Sequence, residues 1–163
     1  MVVTDRDRKY LKETENILRN YKQLKVNIEI LEEEKKRLAE RIATLPAISY
    51  DGARIQSSHS GNPTEDSALC LYYKSFDNDA YLSSTKSLVF KIDKSIESLT
   101  DIQKEVVRLS LIENESWNKV SDKLNYSERH LRRIRDIAIY RIAIALFGAT
   151  VLKTCPISGR KTR

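Results

Sequence analysis

From Tyr10 to Leu45 the chain keeps apolar residues in step over five heptads, and this stretch limits its folding choices more than any other. One row is Tyr10, Ile17, Leu24, Leu31, Leu38 and Leu45, and the other is Thr14, Tyr21, Ile28, Lys35 and Ile42. Together they make a stripe with alternating steps of three and four, the pattern of a coiled-coil seam. Charges of both signs fill the intervening positions, as in Glu32-Glu33-Glu34-Lys35-Lys36-Arg37, and no Gly or Pro interrupts. The spacing predicts one long helix from about Asp5 to Thr44. Its stripe must be covered, either by another chain or by a later helix of the same chain. Lys35 within the seam is the kind of residue that sets register or partner number at some cost in stability.

Pro46 ends this helix, because the residue before a proline avoids the α region. Residues 46–63 read as a loop, with Tyr50-Asp51-Gly52 and Gly61-Asn62-Pro63 as turn signals. Thr64 then caps a second long helix, from about Glu65 to Ser98. Leu69, Tyr72, Phe76, Thr85, Val89, Ile92, Ile96 and Leu99 supply its buried stripe, with a bend near Asp77. An antiparallel pair buries both stripes with a short connection, within one chain or swapped between two.

Charge divides the chain differently. Residues 1–99 hold 16 basic and 16 acidic residues, whereas residues 100–163 hold 13 and 7, so the whole net charge of +6 lies in the C-terminal part. A basic excess confined to one segment suits a polyanion partner as well as it suits a solvated face.

That segment also carries the most specific pattern. Thr100 with Gln103 forms a capping box that opens a helix bearing Ile102, Val106, Val107, Leu109 and Leu111. Ser116 caps a short helix, Trp117 to Leu124. Asn125 suits the left-handed conformation of a tight turn, and Ser127 caps a third helix. Val120 and Leu124, then Leu131 and Ile134, lie one turn apart. Ser121 is small where the helices cross, and Tyr126 is expected to be the buried residue of the turn. These offsets are those of a DNA-binding helix-turn-helix.

With Leu131 and Ile134 turned inward, Glu128, Arg129, Arg132, Arg133 and Asp136 face outward. Four arginines fall within the seven residues 129–135, and Arg is well suited to forked contacts with guanine edges and phosphates. The expected DNA-contacting set is Ser127, Glu128, Arg129, His130, Arg132, Arg133 and Arg135, with Lys119 and Lys123 from the short helix. His130 could equally pack the helix start. The bland alternative pairs the arginines with Glu128 and Asp136. Trp117, the one tryptophan, reads as a core residue near Leu109 or Leu111, with contact to DNA or polymerase as the alternative.

Residues 137–147 are apolar nearly all round, so that helix needs cover on every side, from the long helices or from a second subunit. It stops at Gly148, and residues 149–163 read as a basic tail.

The segments Ser98-Leu99-Thr100, Val106-Val107-Arg108-Leu109, Ser116-Trp117-Asn118-Lys119-Val120 and Tyr126-Ser127-Glu128-Arg129-His130-Leu131 resemble sigma-factor region four. More closely they resemble phage and prophage regulators that carry this module, including the ArpU and RinA activators of late genes. The two turn stretches between the long helices are similar to those proteins as well. The resemblance implies promoter DNA as target and RNA polymerase as a partner. No stretch resembles the promoter-melting region of a sigma factor, so a complete sigma factor is not implied.

The expected fold is therefore all-α: residues 1–99 form a coiled-coil-like oligomerisation region with its loop at 46–63, residues 100–148 a helix-turn-helix domain, and residues 149–163 the tail. The expected function is sequence-specific, double-stranded DNA-binding transcription regulation by a homo-oligomer. Two rivals are a DNA-packaging adaptor resembling phage small terminase subunits, and an interaction protein that binds polymerase without DNA. No Ser/His/Asp or Cys/His grouping points to catalysis, and Cys70, Cys155, His59 and His130 have no zinc-site spacing. No enzyme activity, cofactor or metal is expected. Two distant cysteines and the lack of an apolar run of about 18 residues suit a cytoplasmic protein away from membranes.

Overall fold

The computed structural model describes residues 5–45, 63–148 and 151, and these are helical with no strand among them. The helices are α1 (Asp5–Arg19), α2 (Tyr21–Ala43), α3 (Pro63–Glu97), α4 (Asp101–Val107), α5 (Trp117–Leu124) and α6 (Glu128–Phe147). A π-helical turn, Arg108–Ile112, continues α4. The expected loop turns and the basic tail beyond Val151 lie outside the described residues.

The first long helix spans its expected range with one interruption, at Asn20. The Asn16 carbonyl there accepts from both the Asn20 N–H, at 3.1 Å, and the Asn20 side-chain amide, at 2.9 Å. Asn competes for backbone groups in this way and loosens the helical ladder locally. The second long helix continues without a break through Asp77 and starts at Pro63, one residue before the expected cap Thr64. Proline suits a first helical position because its missing N–H would have no partner in the helix anyway.

Packing divides the chain into two compact units. One joins the chain up to Lys25 with the chain from Ser87 onward, and the other is Val26–Lys86.

In the unit Val26–Lys86, α2 and α3 run antiparallel. Lys35 pairs with Asp79 at 2.9 Å and Glu32 with Lys86 at 2.6 Å, so rising numbers on one helix meet falling numbers on the other. The Asn78 side-chain amide donates to the Leu31 carbonyl at 3.1 Å. The buried α3 residues here are Leu71, Asn78 and Leu82, and Leu38 is buried on α2. This corrects the expected stripe: Leu69, Tyr72 and Phe76 are exposed by 53%, 56% and 73%. Both sets have helical spacing, because this part of α3 is apolar on two faces. Periodicity alone does not choose between them. From Val89 onward the expected register holds, and Val89, Ile92 and Leu99 are buried.

The other unit is organised around α6. Its C-terminal half is covered over most but not all of its surface: Ala138, Ile142 and Ala143 are fully buried, whereas Arg141 and Ala145 are exposed. One cluster joins Ala138, Ile139 and Ile142 to Leu18, Ile92, Leu99, Val107 and Leu111. A second joins Tyr140, Ala143 and Val151 to Tyr10, Leu11 and Phe147, with the Tyr10 and Phe147 rings 5.1 Å apart. The start of the heptad stripe thus covers α6 within the same chain. Gly148 ends α6 with a positive φ of 70°, and Val151 folds back to 1% exposure.

The α4 segment lies between two cores, and the π-helical turn allows this. Val106 belongs to one cluster and Val107 to the other. The wider turn, closed by the Glu113 N–H donating to the Arg108 carbonyl at 2.9 Å, buries Leu109, Ser110 and Leu111 in succession. The Ser110 hydroxyl is satisfied by the Val106 carbonyl at 2.6 Å.

Candidate nucleic-acid interface

Two left-handed asparagines shape the surface formed by α5 and the start of α6. Asn114, at φ 54°, ends the π-helical turn while the Glu115 N–H reaches back to the Leu109 carbonyl at 2.9 Å, one residue wider than a Schellman closure. Asn125, at φ 55° and ψ 38°, ends α5 as its residue type predicts. Ser116 and Ser127 occupy the expected N-cap positions, in extended conformation and without a side-chain cap bond. The Thr100–Gln103 capping box is present, and the Gln103 side-chain oxygen also accepts from Arg141 at 3.1 Å, tying α6 to α4.

Beneath this surface lies a small core of Val106, Leu109, Val120 and Leu131, flanked by Trp117, Leu124 and Ile134. The inward set of α5 and α6 is the one the spacing predicts. Tyr126 is a correction: it is 48% exposed rather than buried. The left-handed turn at Asn125 carries it outward, and Leu124 and Leu131 already occupy the space inside. Its carbonyl accepts from the Ser121 hydroxyl at 2.6 Å, which fastens the turn to α5. Its ring lies 5.4 Å from that of His130, which is exposed and not packed into the helix start.

The basic residues fall into two classes. Arg129, Arg133 and Lys119 are exposed and make no ion pair among the described residues. The others are held. Arg132 pairs with Glu128 at 3.2 Å and lies 4.9 Å over the Trp117 ring. Arg135, at 23% side-chain exposure, pairs with Asp136 at 2.9 Å and lies 5.2 Å from the same ring. Lys123 pairs with Glu115 at 2.6 Å.

Trp117 is therefore both a flank of the small core and a seat for two guanidinium groups, a dual role its position in the sequence does not reveal. The i,i+3 spacing of Arg132 and Arg135, which puts both on one side of α6, was the available signal. Arg129 and Arg133, one turn apart on α6, are exposed and are not held in this way.

Below this surface, Arg108 bonds both Glu105 and Glu113 across the π-helical turn, at 2.5 and 3.0 Å. The Arg108 guanidinium holds the Glu105 carboxyl below the usual carboxylate range, against a smaller opposing effect of burial. Among the described residues, no group of three or more His, Cys, Asp or Glu side chains could hold a metal ion, and no helix is long and apolar enough to cross a membrane.

No curated protein and no solved structure matches the chain. A family model described as "Protein of unknown function (DUF722)" matches residues 10–143, most of the chain's length, and the chain belongs to that family.

Proposed function

We propose that the protein is a double-stranded DNA-binding transcription regulator that reads its site with the N-terminal half of α6, in a helix-turn-helix formed by α5, the Asn125 turn and α6. The observation that carries this reading is the pair Arg129 and Arg133, exposed one turn apart on α6 with no ion pair among the described residues, beside a seam buried through Val120 and Leu131. Unpaired guanidinium groups at the start of a helix that follows a short helix and a tight turn are placed to meet base edges and phosphates in a major groove. Lys119 adds a charge suited to phosphate contact. The resemblance of these segments to region-four-bearing phage regulators supports promoter DNA as the target and RNA polymerase as a further partner. The protein acts by binding, with no catalytic step of its own.

The test is fluorescence anisotropy with duplexes recovered by selection from genomic fragments, at several salt concentrations. Binding should weaken steeply with salt. Arg129→Ala and Arg133→Ala should each either relax one position of the site at a cost of about 1–3 kcal/mol or lower the salt slope by about one. Salt-independent or undetectable DNA binding by the parent would refute the reading.

A further inference from the structure

The outer face of α3 has a heptad seam of its own. Leu69, Tyr73, Phe76, Ala80 and Ser83 follow one another at steps of four and three, and all five are exposed. They lie opposite the inward seam of Leu71, Asn78 and Leu82, so α3 presents apolar rows to two sides at once. Leu69, Tyr73 and Phe76 are 53%, 64% and 73% exposed, and neighbouring Tyr72 is 56% exposed. Such a helix is expected to be covered on both sides.

We propose that the outer face of α3 is a self-association surface, on which the same face of a second copy packs antiparallel about Phe76.

The argument rests on the order of side-chain sizes. An antiparallel pair about Phe76 sets Tyr73 against the partner's Ala80 and Leu69 against the partner's Ser83, while the two Phe76 rings meet at the axis. Large residues precede the centre and small ones follow it, so each copy supplies the space the other fills. A parallel pairing would instead set Tyr73 on Tyr73 and leave Ala80 and Ser83 facing their own kind across a gap. No charged residue falls on the seam, and Asp79 beside it is already paired with Lys35.

The area is sufficient. An aromatic side chain carries about 150–250 Å². At these exposures Leu69, Tyr72, Tyr73 and Phe76 offer roughly 500 Å² per copy, or about 1,000 Å² for the pair, the lower bound for a specific interface. The contact is two-fold and closes on itself, so it yields dimers and not rings. It stands independently of the DNA reading.

The full chain, measured by light scattering at about 50 µM, should have twice the 18.9 kDa mass of one chain. Phe76→Glu should bring it to one chain by raising the dissociation constant at least roughly 100-fold, with helicity unchanged because Phe76 contributes little to the fold of a single chain. In a Cys70→Ser, Cys155→Ser background, mixed Tyr73→Cys and Ala80→Cys proteins should cross-link to each other under oxidation, while neither alone does. A monomeric parent, a ring of several copies, a Phe76→Glu protein that stays dimeric, or Tyr73→Cys cross-linking to itself would each overturn the proposal.

Discussion

Truncating Trp117 tests how the surface of α5 and α6 is held. A fully buried Trp changed to Ala typically costs about 3–5 kcal/mol. Trp117 is partly buried, packed against the core of Val106, Leu109, Val120 and Leu131, so its packing loss belongs at the lower end, about 3 kcal/mol. The two guanidinium groups at 4.9 and 5.2 Å from the ring add about 0.5–1 kcal/mol between them after allowance for solvent. Trp117→Ala should therefore destabilise the unit containing α6 by about 3–4 kcal/mol, which for a chain of this size lowers the melting temperature by roughly 10 °C. Trp117→Phe keeps most of the packing and a ring face, and should cost only about 1 kcal/mol. The assay is thermal and urea unfolding followed by circular dichroism, since the variants lack the tryptophan fluorophore. A Trp117→Ala protein melting within about 2 °C of the parent would refute the reasoning. If that protein also lost DNA binding, Trp117 would move from support to direct contact.

Asn125→Ala should cost about 1 kcal/mol or more, because Ala tolerates the left-handed φ of 55° poorly, whereas Asn125→Gly should melt like the parent; equal melting of the Ala and Gly variants would contradict this. Asn78→Leu should stabilise the α2–α3 pair by about 1 kcal/mol in urea unfolding, since the buried Asn78 side-chain oxygen has no hydrogen-bond partner among the described residues, and a lower midpoint would show that the amide bond to Leu31 dominates. Burial, followed by its hydrogen bond to Asp93, pushes the Tyr21 hydroxyl above its ordinary pKa. The folded state then keeps this proton longer than the unfolded state, so the contribution is complete below the ordinary tyrosine pKa near 10 and is lost as pH rises through the higher folded value. Tyr21→Phe should remove that alkaline loss, and an unchanged pH–stability profile above pH 10 would assign the loss elsewhere.

Local chemistry was legible wherever one residue type answers one backbone need. The Thr100–Gln103 capping box, the left-handed Asn125 and the stop at Gly148 each satisfy a requirement set within four or five residues, and Ser116 and Ser127 stand at the expected N-cap positions without a side-chain cap bond. The composition of residues 137–147 likewise called for a helix largely covered by others, and the inward pairs Val120/Leu124 and Leu131/Ile134 followed from spacing alone. Other features depended on which surfaces meet. α3 has rows of equal periodicity on two faces, and only the Asn78–Leu31 bond and the pairs of α2 with α3 select the inner one. Tyr126 was a plausible buried residue until Leu124 and Leu131 filled the turn. In the sequence Arg132 and Arg135 are indistinguishable from Arg129 and Arg133, since it gives charges but not their neighbours. Trp117, reached across the α5–α6 crossing, separates the held arginines from the free ones. A sequence fixes what each segment prefers within a turn or two of helix. Where two faces are equally apolar, or two charges equally exposed in principle, the choice belongs to contacts between residues far apart in the chain, and those exist only once the helices have packed.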